Sequence, residues 1–240
     1  MNPFFTVLAR NKGIGQFRCE ATPTDATVYL YDAIVNSAEE AAYFGGVDPK
    51  TFIASIKAID APVINLRINC PGGSVFAGRA MEQALREHPA KVIAHIDGYS
   101  ASAASFVMMA ADEISIAPGA MVMIHKAWTM AFGNADDLVQ QAALLEKIDG
   151  TLVDTYATRT LQDPKQIADW MAAETWFTAQ EALDAGFADV IASTKAKAQA
   201  WDMSAYENAP KQLVADPEPT PEPAFDNAAL LRRLDVISRI

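Results

Sequence analysis

The sequence holds two cysteines, three histidines and no long uncharged apolar run. Each shortage excludes something. Cys19 and Cys70 form no CxxC pair and have no histidine close by, which excludes a zinc knuckle and a disulfide framework. No metal and no cofactor is expected, and a reducing compartment is the natural setting. The most membrane-like stretch, Gly98 to Ala111, is mostly Ala, Ser and Met and is closed by Asp97 and Asp112. That is too short and too polar to span a bilayer, so no membrane partner is expected. The early apolar run Phe4 to Ala9 precedes Arg10 and Lys12, whereas a secretory signal has its positive charge first. Basic residues are also few: 19 Lys and Arg against 30 Asp and Glu, a net charge of −11. Such a surface repels phosphate, so nucleic acid is not an expected partner.

What is present is a globular composition, 51% hydrophobic over 240 residues, enough for a sizeable core. Apolar runs of strand length alternate with segments of helical periodicity. Strands are predicted at 26–31, 62–68, 91–96, 113–116, 121–124 and 189–191. Helices are predicted at 49–59, 74–87, 100–111, 136–160, 162–171 and 179–185. This alternation implies an α/β fold with a mostly parallel sheet covered by helices on both faces. Five of the 13 prolines fall between Pro210 and Pro223, in an acidic stretch that can form neither a helix nor a central strand. Beyond it, Leu230, Leu231, Leu234 and Ile237 lie at helical spacing. The expected organisation is a leader over 1–25, a main domain over 26–193, a Pro-rich linker over 194–225 and a short amphipathic helix over 226–240.

Two strand-to-helix junctions could carry chemistry. Asn69-Cys70-Pro71-Gly72-Gly73-Ser74 follows an apolar strand, and paired glycines there let the backbone approach a ligand. Its spacing alone fits a plain turn with Ser74 as N-cap. Asp97-Gly98-Tyr99-Ser100-Ala101-Ser102-Ala103-Ala104-Ser105 also enters a helix. A serine in a first helical turn gains from the dipole, and the next N–H can hold an oxyanion. Spacing does not choose between Ser100, Ser102 and Ser105. A serine nucleophile needs a base, and His125, at the end of an apolar strand, is better placed than His88 or His95. Glu174, before Trp176-Phe177, is one of many carboxylates that could orient it.

Taken together and in order, these motifs resemble the ClpP family of serine peptidases, over about Val28 to Ile191. The match is closest to the ClpP-related head maturation (prohead) proteases of tailed bacteriophages. Ile68 to Val75, Asp97 to Ser105, Met123-Ile124-His125, Glu174 to Ala182 and Gly186 to Asp189 carry it. The resemblance implies a ClpP/crotonase-like spiral of βα units with a long handle helix and a flexible C-terminal tail. It implies Ser102 as nucleophile, His125 as base and Glu174 as acid, with Gly72 and Ala103 N–H groups as oxyanion donors and Gly73 binding substrate. Two positions depart from the family pattern: Glu174 stands where Asp is usual, and Cys70 where Ser is usual. The implied role is cleavage of capsid and scaffold proteins in the host cytoplasm or inside the procapsid, by a ring-forming homo-oligomer. A housekeeping subunit working with an ATPase partner is the alternative, although the long extension after Val190 argues against it. A non-catalytic crotonase-like module is a third reading. The chain has no G-x-x-x-x-G-K-[ST] motif, so an ATPase would be a separate chain. The terminal helix is expected to serve in docking.

Overall fold

A computed structural model describes residues 3–194 and 201–213. The elements in chain order are α1 (Pro3–Arg10), β1 (Gln16–Ala21), β2 (Ala26–Tyr31), α2 (Ala38–Phe44), α3 (Pro49–Lys57), β3 (Val63–Cys70), α4 (Val75–Arg86) and β4 (Lys91–Ala101). Then come α5 (Ala103–Val107), β5 (Glu113–Ile116), β6 (Met121–Ile124), α6 (Ala135–Thr160), α7 (Pro164–Ala172), β7 (Thr175–Thr178), α8 (Ala179–Asp184) and β8 (Val190–Ile191). The sheet runs β1-β2-β3-β4-β5-β8, with β6 and β7 branching from β4. Pairing is parallel except at β1–β2 and β6–β7.

Helix starts follow local chemistry. Asp48, Ser74 and Asp163 each accept a backbone N–H of the first turn, and Asn134 closes a capping box with Asp137 at the start of α6. The core is built from fully buried side chains such as Leu30, Ile64, Leu66, Ile68 and Ile96 on the strands, covered by Phe52, Ile56, Met81 and Phe106 from the helices. Buried apolar area of this kind is the main favourable term in folding.

Strand β4 decides where the site lies. Its lower half, Ile93–Ile96, pairs with β5, while its upper half, Tyr99–Ala101, pairs with β6. The strand therefore runs five residues past the end expected at 96. The helix expected from residue 100 starts at Ala103 instead, because Ser100 and Ala101 are ladder residues.

The ends of the chain also differ from expectation. The segment expected as a leader contains α1 and β1, and β1 is the antiparallel edge of the sheet. Within the stretch expected as a linker, residues 201–213 fold back onto the sheet. There Trp201 and Met203 are buried against Tyr99, Ala101 and Met123. Residues 214–225 of that linker and the helix expected over 226–240 lie outside the described residues. No described helix is long and apolar enough to cross a membrane.

Candidate active site

Ser102 follows the last residue of β4 and caps α5 with φ 51° and ψ −122°. A non-glycine residue in this region costs about 1–3 kcal/mol and must be held by its surroundings. Two sets of bonds do so: the Ser102 N–H donates to Met123 O at 3.0 Å, and the Ser102 carbonyl accepts from the Ser105 N–H and hydroxyl. The strain turns the Ser102 side chain toward β6, where Ala101 pairs with Met123 and His125 follows two residues on. Ser102 Oγ lies 2.8 Å from His125 Nε2.

The other serines are accounted for. Ser100 is buried in the ladder, and the Ser105 hydroxyl is engaged with Ser102 O and, at 2.7 Å, with Tyr156. The other histidines bond elsewhere as well. Both ring nitrogens of His88 meet backbone groups, of Ile59 and Ala90, and His95 bonds Asn65. Burial pushes the His125 pKa down to about 4, so the imidazole is neutral at neutral pH and free to accept a proton.

The two glycine and serine turns meet in space. A Cβ on Gly72 would lie 2.6 Å from Ser102 Cβ and 2.8 Å from Ala103 N. Ala103 opens α5, so its N–H stands outside the helix ladder. The Gly72 N–H donates to Cys70 Sγ at 3.3 Å, a weak acceptor that yields easily to an oxyanion. Cys70 is fully buried, which pushes its thiol pKa far up. Gly73 pairs with Ile34 through its neighbours: Gly72 O accepts from Ile34 N, and Ser74 N donates to Ile34 O. The N–H and C=O of Gly73 itself therefore face away from Ile34. Gly73 borders a cavity of about 310 Å³ that reaches Ser102 and His125 and is walled by Val75, Phe76, Trp128, Leu145 and Ile148.

Glu174 is not joined to His125. Among the described residues, the imidazole makes one side-chain hydrogen bond, to Ser102. The Glu174 carboxylate instead accepts from the backbone N–H of Glu207 at 3.1 Å and of Asn208 at 2.6 Å, with Trp176 Nε1 at 3.3 Å. The ring against His125 is that of Tyr206, with centroids 5.5 Å apart and planes at 78°. Tyr206 was not singled out from the sequence. The available signal was Trp201, Met203 and Tyr206, an apolar set just before the prolines.

Comparison with known proteins places this geometry in a wider set. The family model described as Clp protease matches residues 52–195, which include Gly72, Ser102, His125 and Glu174. The chain is 34% identical over 137 residues to ATP-dependent Clp protease proteolytic subunit 3 of Rhodococcus jostii, covering 56% of this chain and 67% of that one. It is 33% identical over 130 residues to the proteolytic subunit of Deinococcus radiodurans, covering 53% and 64%. It is 33% identical over 135 residues to proteolytic subunit 1 of Corynebacterium jeikeium, covering 55% and 72%. The chain thus spans about two thirds of the length of these relatives, and residues 201–213 fall outside the matched family region.

Proposed function

The chain belongs to the Clp protease family of serine peptidases, and on that premise we propose that it is an endopeptidase acting through an acyl-enzyme on Ser102. The observation that carries this is the 2.8 Å contact between Ser102 Oγ and a neutral His125 Nε2, beside the Gly72 and Ala103 backbone. An extended peptide would add as a strand along the free edge of Gly73, with an apolar side chain in the cavity against Leu145 and Ile148. His125 takes the Ser102 proton as Oγ attacks the scissile carbonyl. The N–H groups of Gly72 and Ala103 receive the oxyanion, Gly72 exchanging Cys70 Sγ for it. The imidazolium then protonates the leaving amine, and water, activated by His125, releases the acid.

Self-association is part of the proposal. Helix α6 buries only Leu152, Tyr156 and Thr160 within the chain, while Leu138 and Val139 in its first turns are exposed. An apolar stripe left uncovered on a 26-residue helix suits packing against further copies, as expected for rings. The relatives reported above are named as proteolytic subunits of ATP-dependent proteases. Their names favour a subunit served by a separate ATPase over the head-maturation role suggested by the sequence resemblance, which finds no support among them.

The test is Ser102→Ala in the full chain. Wild type should cleave a fluorogenic peptide and take up a fluorophosphonate on Ser102, and the variant should do neither. Full cleavage by the variant would sink the proposal.

A further inference from the structure

Among the described residues the His125 imidazole makes one hydrogen bond, through Nε2, and a ring held only there can swing about that bond. The group that stops it is supplied by residues 201–213. We infer that Tyr206 is a positioning residue for His125, and that Glu174 acts on the imidazole through the backbone of residues 207 and 208 rather than by direct contact. This rests on the serine peptidase reading above.

Tyr206 is fixed from several sides. Its ring meets the His125 ring edge-on, and meets Trp176 at 5.9 Å and 78°. Its hydroxyl donates to Pro71 O, in the peptide that leads into Gly72, and the Ser102 hydroxyl is a second polar neighbour. One side chain thus touches the base and steadies the oxyanion turn. The two residues after it are clamped by the two Glu174 oxygens, and Asn208 Nδ2 donates to Ala173 O at 2.9 Å. Bonds from N–H to a carboxylate are about twice as strong as neutral ones. Glu174 itself has φ 46°, a conformation that needs such bonds to hold it.

The segment is anchored away from the site as well. The Asn11 side chain pairs with both backbone groups of Asp202, donating to O at 3.0 Å and accepting from N at 2.7 Å. Met203 N donates to Leu213 O, closing the segment on itself. Tyr206 also stands apart from the cavity that reaches Ser102. The cavity beside Ser102 is lined by residues 73–76 and 127–130 with α6 behind, and Tyr206 is not among its walls.

The experiment compares the full-length wild type with Tyr206→Ala, Tyr206→Phe and Glu174→Gln on a fluorogenic peptide, with kcat and KM separated and fluorophosphonate labelling in parallel. Thermal unfolding of each variant reports whether it folds. Tyr206→Ala should lose roughly 10- to 100-fold in kcat at nearly constant KM, the scale set by misplacing a reacting group by about 1 Å. Tyr206→Phe keeps the ring and loses one neutral hydrogen bond, so it should fall by no more than roughly fivefold. Glu174→Gln keeps an acceptor for one N–H and should lose less than about tenfold, whereas an acid acting directly on the histidine would cost about 10⁴-fold on the same change. A 10⁴-fold loss there overturns the inference. So does a folded Tyr206→Ala with unchanged or raised kcat, or a Phe variant as weak as Ala. If wild type itself fails to label on Ser102, the peptidase reading falls first, which separates the two failures.

Discussion

Gly72 sits so close to Ser102 that a methyl group on its Cα would fall 2.6 Å from Ser102 Cβ and 2.5 Å from Ala101 O. No rotation relieves this, because the neighbours are backbone atoms and the Cβ of Ser102, whose own backbone is strained, and Gly72 also has φ +89°. Gly72→Ala should lower kcat for peptide cleavage by about 100-fold or more, the scale for losing one oxyanion donor. Gly119 has φ +88° with open space around it. Gly119→Ala should therefore lose stability but keep its kcat, which separates strain from loss of the site. Thermal unfolding and peptide kinetics on both variants check this.

The acidic limb of activity should lie near pH 4, not near 6.5. His125 must be neutral to accept the Ser102 proton, and burial pushes its pKa down to about 4. Between about pH 6.5 and 4 the unfolded chain binds this proton and the folded one does not. Its contribution to stability therefore falls as pH drops through that window, by at most about 1.4 kcal/mol per pH unit, and levels off below it. The rate of fluorophosphonate labelling against pH gives the limb, and urea unfolding at several pH values gives the slope.

Ser105→Ala should cost about 1–3 kcal/mol, because the buried Tyr156 hydroxyl loses its partner. Adding Tyr156→Phe removes the orphaned group and should recover part of the loss. The Ser102 carbonyl keeps the Ser105 N–H bond in both variants, so cleavage should change less than stability does. Denaturant unfolding of the two variants measures the difference.

Leu138→Asp with Val139→Asp should shrink the assembly. These side chains are 46% and 68% exposed in the single chain, so charge there costs the isolated fold little. Light scattering on a sizing column should show a smaller species with an unchanged circular dichroism spectrum. A large assembly that persists would remove α6 as the contact.

The sequence was legible where local pattern and tertiary role agree. Strand β2 alternates buried and half-buried residues, and α6 carries its own capping box. The pattern failed where pairing partners decide. Residues Gln16–Ala21 of β1 are nearly all exposed and show no alternation, and α2 buries nothing. The upper half of β4 was hidden by Asp97, a charge just past the expected strand end, which is ion-paired with Arg67 on β3 and accepts the Tyr31 hydroxyl from β2. Ser100, Ser102 and Ser105 could not be separated by spacing, because the choice is made by β6, which turns one of them toward His125. The position of Glu174 was readable but its direction was not. Its carboxylate faces amides more than 30 residues away, in a stretch that read as linker.

The division of β4 between two partners gives the site an uneven resistance to solvent exchange. Ser102 and His125 hang from adjacent ladder ends in one register, with Ser102 N tied to Met123 O. The spacing of their backbones can change only when the sheet itself comes apart, so the Ser102 amide should exchange with deuterium only on global unfolding. The Glu207 and Asn208 amides hang from a single half-exposed carboxylate and should exchange by local opening. The backbones of Ser102 and His125 would then keep their register through excursions that release Tyr206, so the proposed site could lose and regain its alignment without the chain losing its fold.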